Sequence, residues 1–427
     1  MAGVVVVGGG FGGLASALRL AKLGHQVTLV EAEPTLGGAL RPVQRDGYRW
    51  DGTATYSLLP AVVRDLFRKT GRPIERELDL VTVPVIREHR FADGSAVAVH
   101  GGSRAEQLRA FDRLGAGLGT QWCDFVGAYA DDWELIRRNY LERPWSPLVA
   151  PPELAGRLLS RETLHRRISR RLDDPRLRAV AAFPHEYAGH DVRRVPAWLG
   201  TTSYVEQAFG AWTVTGGMAA LTEALVLRLA TRRVRVLHGT AEDLVVRGGR
   251  AVSVRVDGAD LDADAVVVAI DPRRLPALEP HLRRTTPVVP PTTTHLGLVG
   301  DVPELAPETV FHGDSTLVVR TGGQAPDGRH AWTLHSRAAG DPLRQLAQHG
   351  VAVEVDVRLD RSPDGLARTG SPDGVRWQGR RTVHDRLSPR TPVPGVYAAG
   401  AHATPGGGLP FVGLSAALVA QAIGPAG

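Results

Sequence analysis

Val4-Val-Val-Val-Gly8-Gly-Gly10-Phe-Gly-Gly13 stands almost at the start of the chain, and its reading decides the fold. Four β-branched residues predict a short buried strand. The Gly8-x-Gly10-x-x-Gly13 spacing follows at once. Leu14 to Leu23 then reads as a helix ending at Gly24, and a second strand, Gln26 to Val30, finishes on the acid Glu31. Strand, glycine turn, helix, strand and acid together make a complete βαβ dinucleotide site. The first glycine makes the tight turn, the second lets a pyrophosphate approach the backbone, and the third lets helix and strand pack closely. The helix N-terminus offers free N–H groups and a partial positive charge to the phosphates. Glu31 can accept hydrogen bonds from both ribose hydroxyls, which disfavours a 2′-phosphate.

The 427 residues suffice for two domains and a large core. The first strand begins at Val4 and is needed by the fold, so no signal peptide is expected, and no apolar run approaches the ~18 residues of a spanning helix. A single cysteine, Cys123, excludes an internal disulfide and cysteine-based zinc clusters, which fits a reducing cytoplasm. Lys22 and Lys69 are the only lysines, so the positive charge is nearly all arginine. A net charge of +6 over this length reads as a solvated arginine-rich surface rather than a nucleic-acid footprint. No spacing of His, Asp and Glu suggests a metal site.

Beyond Glu31 and Ala32, Pro34-Thr-Leu-Gly37-Gly38-Ala39-Leu-Arg41 is a glycine turn, followed by a hairpin-like stretch to Tyr48-Arg-Trp-Asp51-Gly52. Residues 60–70 look helical. Within the mixed section 72–215, Leu154, Leu158, Leu159, Leu164, Ile168 and Leu172 recur at helical spacing with six arginines between them. Such a basic amphipathic pattern is first a domain-surface helix, with contact to a membrane surface as the sharper alternative. A helix is expected from Gly216, then strands at 234–237, 244–247, 251–256 and 265–269. Strand candidates at 292–299, 317–320 and 331–335 suit a second sheet. Residues 361–374 read as loop, and the chain closes with a strand at 395–400, a glycine turn and a helix over 413–423.

Three separated blocks thus suggest one composite site: the βαβ unit with Gly37-Gly38, the Gly216-Gly217-Met218 helix with the Ala269-Ile270-Asp271-Pro272 turn, and Ala399-Gly400-Ala401-His402-Ala-Thr404-Pro405-Gly406-Gly-Gly-Leu409-Pro410. With these blocks the chain resembles the flavoprotein family of bacterial phytoene desaturases, carotenoid isomerases and retinol saturases, itself related to amine oxidases. Asp174-Pro-Arg-Leu-Arg, the run from Tyr204 through Gly210-Ala-Trp to Gly216-Gly-Met, and Gly395-Val-Tyr-x-x-Gly-Ala with its Pro-Gly-Gly-Gly turn carry the likeness. Amine oxidases usually have Gly-Glu where this chain has Gly400-Ala401.

The resemblance implies non-covalent FAD. Its ADP half would lie on Gly8, Gly10, Phe11, Gly12, Gly13, Glu31 and Ala32, with adenine against Ala241 and Ile270. Family members commonly carry Arg or Lys directly after the Gly-Gly pair; Ala39 stands there, which leaves Arg41 as the pyrophosphate candidate beside Gly38. The isoalloxazine would sit where Gly52, Gly400, Ala401, Leu409, Val412, Gly413, Leu414 and Ser415 converge. A helix starting near Val412–Ser415 would aim N–H groups at the anionic edge of the reduced ring. His185, Tyr187, His190 and Tyr204 match the region lining the family's substrate channel; His402-Ala-Thr404-Pro405 replaces the family's usual Ser-Thr-His-Pro before the glycine turn, so the role of the family's histidine does not pass to His402 from sequence alone. Each is a candidate acid or base, although the flavin can take hydride without one.

The expected architecture is α/β: a discontinuous Rossmann-type FAD domain from residues 1–70, 216–284 and 372–427, with an α+β substrate domain from 71–215 and 285–371. The expected activity is FAD-dependent oxidoreduction of a hydrophobic small molecule, isoprenoid or polyketide-like, with its C–H bond ~3–3.5 Å from flavin N5. Amine oxidase-like C–N oxidation, a reduced-flavin isomerase or saturase, and a non-catalytic flavin or lipid binder remain open. The oligomeric state is not written in the sequence.

Overall fold

The computed structural model describes residues 2–146, 150–370 and 373–427; the expected domain boundary at residues 371–372 lies outside them. Five parallel strands form one sheet, in the spatial order Arg235–His238, Gln26–Glu31, Gly3–Val7, Ala265–Val268, Val396–Ala398. Sequence-distant strands therefore meet in one layer, with the first strand at its centre. Alternation across Gly3–Val7 builds two cores. Val4 and Val6 share a buried cluster with Leu14 and Leu18 of the helix Phe11–Lys22, Leu66 of the helix Pro60–Thr70, Leu221 of the helix Ala219–Thr231 and Val419 of the last helix. Val5 and Val7 face the opposite way, into a cluster with Leu244 and Val254 of a three-stranded antiparallel sheet over residues 241–262. A strand apolar on both sides must be covered on both sides, and here it is.

A second, seven-stranded sheet runs in the order Glu354–Arg361, Thr292–Val299, His330–Ser336, Leu317–Arg320, Glu308–Phe311, Val85–Arg90, Ala96–His100. Its pairs are antiparallel except Glu308–Phe311 with Val85–Arg90. The hairpin Val43–Trp50 reaches onto this sheet: the Trp50 indole donates to the Leu296 carbonyl at 3.1 Å, and the Tyr48 ring lies where a Cβ on Gly297 would stand, 2.5 Å from its Cζ. A helical layer over residues 104–209 packs around Trp122, Tyr129, Trp133 and Trp198.

Three local expectations change. The basic stretch is three helices, Pro152–Leu158, Leu164–Arg171 and Pro175–Tyr187, because Thr163 and Asp174 cap new N-termini, accepting the Arg166 and Arg176 N–H groups. Its Leu154, Leu158, Leu164, Ile168 and Leu172 are buried in the helical core, while Arg157 and Arg167 pair with Asp132, and Arg167 and Arg170 with Glu162. The domain-surface reading therefore describes its apolar face, and no helix among the described residues is long and apolar enough to cross a membrane. The stretch read as loop holds a helix, Pro363–Gly370, preceded by Ser362, whose hydroxyl accepts the Gly365 N–H. The last helix spans Leu409–Ile423, four residues longer at its start than expected, because Pro410 suits a first turn as well as it suits a loop.

Candidate cofactor and substrate site

The glycine turn after the first strand is shaped by contacts that side chains would break. Gly8 adopts φ +104°, with Ile270 directly beside it: a Cβ would meet Ile270 Cγ2 at 2.6 Å. A Cβ on Gly13 would lie 1.7 Å from the Gly8 carbonyl oxygen, so helix and strand touch through it. Gly10 differs. Its nearest neighbour there is Gly38 Cα at 3.8 Å, an ordinary van der Waals distance, so a Cβ at Gly10 would meet no clash. The first internal bond of the helix is Leu14 N–H to Gly10 O at 2.9 Å, so the N–H groups of Phe11, Gly12 and Gly13 have no acceptor within it. Glycine backbone without side chains, ending in N–H groups that the helix leaves unbonded, fits a pyrophosphate.

Glu31 ends the second strand beside this turn. Its Oε2 accepts the Gly9 N–H at 2.6 Å and its Oε1 the Glu33 N–H at 2.8 Å; a carboxylate oxygen with one bond keeps a lone pair for a ribose hydroxyl. Ala32 follows it. Gly37 N–H bonds to Gly9 O at 2.9 Å and locks the second turn to the first. Arg41 pairs with Glu33 (3.2 Å) and with the Thr35 hydroxyl (3.2 Å), and Ala39 offers its carbonyl to the Thr53 hydroxyl at 3.0 Å. Ala241 opens the small antiparallel sheet, directly after the edge strand that pairs with residues 28–31.

At the far end, Gly12, Gly400 and Val412 converge: a Cβ on Gly12 would meet Gly400 Cα at 3.0 Å and Val412 Cγ1 at 3.1 Å. Gly400 N–H donates to the buried Ser415 hydroxyl at 3.2 Å, which ties the glycine turn to the last helix, and Ala401 is buried behind it. Gly52 packs so tightly on the main chain of residues 39–41 that a Cβ would lie 2.4 Å from the Ala39 carbonyl oxygen. Gly413 and Leu414 face elsewhere. A Cβ on Gly413 would meet Val62 Cγ1 at 2.7 Å, and both residues line a surface groove with Lys22 and Lys69. The first-turn donors nearest the glycine turn belong to Leu409 and Phe411, since the Val412 N–H is bonded to Gly408 O at 2.9 Å.

Gly406, Gly408 and Leu409 form one wall of a cavity of about 310 Å³. Trp133, Ile136, Leu141, Phe183, Trp198 and Trp377 supply apolar walls. His185, Tyr187 and His190 reach it; Tyr204 and His402 are not among its lining residues. Tyr204 instead packs edge-on to Phe209, and the buried His402 lies 3.8 Å from Asp271. Burial pushes the His185 imidazole down to about 4 and the His190 imidazole to about 3, so both are neutral at pH 7. His185 Nε2 lies 3.2 Å from the Leu199 carbonyl, which can only accept, so Nε2 carries the proton and Nδ1 the lone pair. His190 Nδ1 faces the Trp377 N–H at 3.5 Å.

One end of the cavity is charged. Arg87 and Glu206 form a buried bidentate pair, Arg320 pairs with Glu308 at 2.8 Å, and Tyr56, His335 and Asp373 stand beside them. None of these seven was singled out from sequence. Their partners lie up to 119 residues apart, as in Arg87–Glu206. The only local signal is the strand Val85–Arg90, where Arg87 and His89 both turn inward.

A parallel βαβ sheet, a glycine cradle ending on an acid, and an aromatic-walled cavity against the Gly406–Gly408 turn define an FAD-dependent oxidoreductase. Residues 11–299 match the family described as flavin containing amine oxidoreductase, and the chain belongs to that family. It is 30% identical to the hydroxyneurosporene desaturase of Cereibacter sphaeroides, covering 98% of this chain and 97% of that one. It is 28% identical to a zeta-carotene-forming phytoene desaturase of Myxococcus xanthus, covering 98% and 93%. Among solved structures, cyclohexylamine oxidase from Brevibacterium oxydans superposes with TM-score 0.66 at 15% identity, over 99% of both chains. A redesigned putrescine oxidase gives 0.71 at 15%, covering 99% of this chain and 97% of its own.

Proposed function

We propose that the protein dehydrogenates a hydrophobic isoprenoid, with FAD held along the two glycine turns and the substrate in the cavity beside Gly406–Leu409. The observation that carries this reading is an aromatic-walled cavity bounded by Gly406–Gly408 and by Leu409, the first residue of the helix to which the Gly400 N–H is tied through Ser415. The similarity to carotenoid desaturases over nearly the whole chain supports the same substrate class. Gly8, Gly10, Phe11, Gly12, Gly13, Glu31 and Gly38 would hold the ADP half, with Arg41 at its mouth. Gly52, Gly400 and Leu409 would border the ring. The division into FAD and substrate domains is part of this proposal and is supported by the separation of the five-stranded parallel sheet from the seven-stranded one.

When bound, FAD supplies the two-electron acceptor for hydride. The chain does the rest. The aromatic walls exclude water and orient an extended apolar skeleton. Loss of hydride leaves a carbon short of electrons, and the neutral His185 and His190 place no positive charge against it. The neighbouring carbon then loses a proton to complete the double bond, and His185 Nδ1 is the lone pair we assign to receive it.

Anaerobic mixing of the yellow holoprotein with isoprenoid polyenes tests the reading. Bleaching of the flavin with formation of one new double bond is the expected result. Bleaching by alkylamines but not by isoprenoids would replace it with C–N oxidation. Turnover only after chemical prereduction would replace it with saturation or isomerisation.

A further inference from the structure

We infer that the substrate bears a neutral oxygen substituent, a hydroxyl or a carbonyl, and that the Tyr56 hydroxyl holds it at the charged end of the cavity. The inference rests on the isoprenoid reading above and narrows it.

A cavity built only for hydrocarbon has no use for polar walls, because each buried polar group without a partner costs stability. Besides the Arg386 guanidinium, which lies over Trp377 and donates to the Pro405 carbonyl at 2.7 Å, this cavity has aromatic walls and one strongly polar end. The polar end carries two ion pairs, Arg87–Glu206 and Arg320–Glu308, with every side chain at least nine-tenths buried. Each pair is internally neutral. A carboxylate entering there would meet Glu206, Glu308 and Asp373 already beside the two arginines and would pay its own desolvation. A neutral hydrogen-bonding group avoids that cost.

Tyr56 is the residue that reaches for such a group. Its ring borders the cavity, and its hydroxyl oxygen accepts from Arg87 Nη1 at 3.5 Å. The hydroxyl proton meets no acceptor among the described residues. Burial, reinforced by Glu308, raises its pKa, so the proton stays on and Tyr56 is a donor at neutral pH. Independently, His335 is 4% exposed and lines the same cavity; its Nδ1 contacts the Thr293 hydroxyl at 3.0 Å, and its Nε2 is buried with no partner. His335 lies edge-on to Tyr187, and the Arg320 guanidinium stacks over that same ring at 5.5 Å, so these groups belong to one end of the cavity. Under-satisfied polar atoms collected beside neutralised charges are what a site for a substrate oxygen looks like before the oxygen arrives.

The test uses oxidised holoprotein under anaerobic conditions and reads perturbation or bleaching of the flavin spectrum. The ligands are geranylgeraniol, its methyl ether and the hydrocarbon of the same skeleton. We expect the alcohol and the ether, which both present an acceptor oxygen, to bind at least tenfold more tightly than the hydrocarbon. Tyr56→Phe should remove about tenfold of the alcohol's affinity, the loss of one hydrogen bond, and leave the hydrocarbon unchanged. The comparison among ligands on the unaltered protein holds even if the variant folds poorly. Equal binding of alcohol and hydrocarbon overturns this inference while leaving the isoprenoid reading intact. Binding of none of the three overturns both.

Discussion

Arg87 and Glu206 meet as a bidentate pair, with Nη2 2.7 Å from Oε2 and both Nη atoms 2.9 Å from Oε1, and their side chains are 2% and 3% exposed. The pair joins the seven-stranded sheet to the helix Thr201–Phe209 across the cavity wall. Glu206→Gln keeps the shape and removes the charge that offsets Arg87. The expected cost is about 3–5 kcal/mol, the usual consequence of leaving a buried charge unpaired. The double variant Arg87→Met with Glu206→Leu should recover most of it. Urea unfolding of the two variants checks this; a single variant as stable as the parent would show that water reaches the pair.

Two glycines of the same fingerprint should fail in different ways. Gly10 has room for a Cβ, so Gly10→Val should fold and unfold near the parent temperature yet purify colourless, because the side chain fills the pyrophosphate space. Gly13→Ala puts a methyl 1.7 Å from the Gly8 carbonyl and should destabilise the protein itself. Flavin absorbance per chain and thermal melts of both variants separate the outcomes. A yellow Gly10→Val protein would contradict the cradle.

The cradle was legible because it is local. Strand, turn, helix and acid occur within residues 4–31, and hydrophobic periodicity plus glycine spacing suffices to read them. The strands at 292–299, 317–320 and 331–335 were equally plain, being β-rich runs between turns. The polar end of the cavity was not legible. Arg87, Glu206, Glu308 and Arg320 look like surface charges until the fold pairs them, and nothing in local sequence marks a charge as buried. The start of the last helix is ambiguous in sequence for a different reason: a Gly-Leu-Pro run serves a turn and a helix N-terminus equally well, and Gly408 at φ +94° decides between them.

Stability should depend on pH through histidines held neutral. His185 is pushed down to about 4, and His190 and His295 to about 3, in each case chiefly by burial. Unfolding exposes these rings to water, where their pKa returns to ~6.5. Above that value neither state is protonated and the groups are silent. Below it the unfolded chain takes up protons that the folded chain refuses, so stability falls as pH drops from about 6.5 towards 4, by about 1.4 kcal/mol per pH unit for each histidine fully titrating in the unfolded state. Denaturant midpoints between pH 7.5 and 4.5 should show this slope, and His295→Gln should make it shallower. A midpoint that does not move between pH 6.5 and 5 would refute it.

Gly413 supplies the last prediction, because its position changes what a substitution there reports. A carboxylate at residue 413 would be expected to repel the reduced ring if the last helix began at that residue. The helix begins at Leu409, and Gly413 faces Val62 and Phe11 on neighbouring helices, with 2.7 Å between a built Cβ and Val62 Cγ1. Gly413→Ala should therefore act by crowding, costing about 1–3 kcal/mol as an overpacked contact does, and leave the flavin's reduction potential unchanged. Val62→Ala in the same chain should return part of that stability by removing the methyl it strikes. The electrostatic experiment belongs one helical turn earlier, at Leu409, which lines the cavity. Leu409→Asp should lower the potential relative to Leu409→Asn, since the two differ in charge and little in size. Spectroelectrochemical titration at matched FAD occupancy measures it. A potential that shifts with Gly413→Ala, or that is the same for Asp and Asn at residue 409, would mean that the helix N-terminus does not address the flavin.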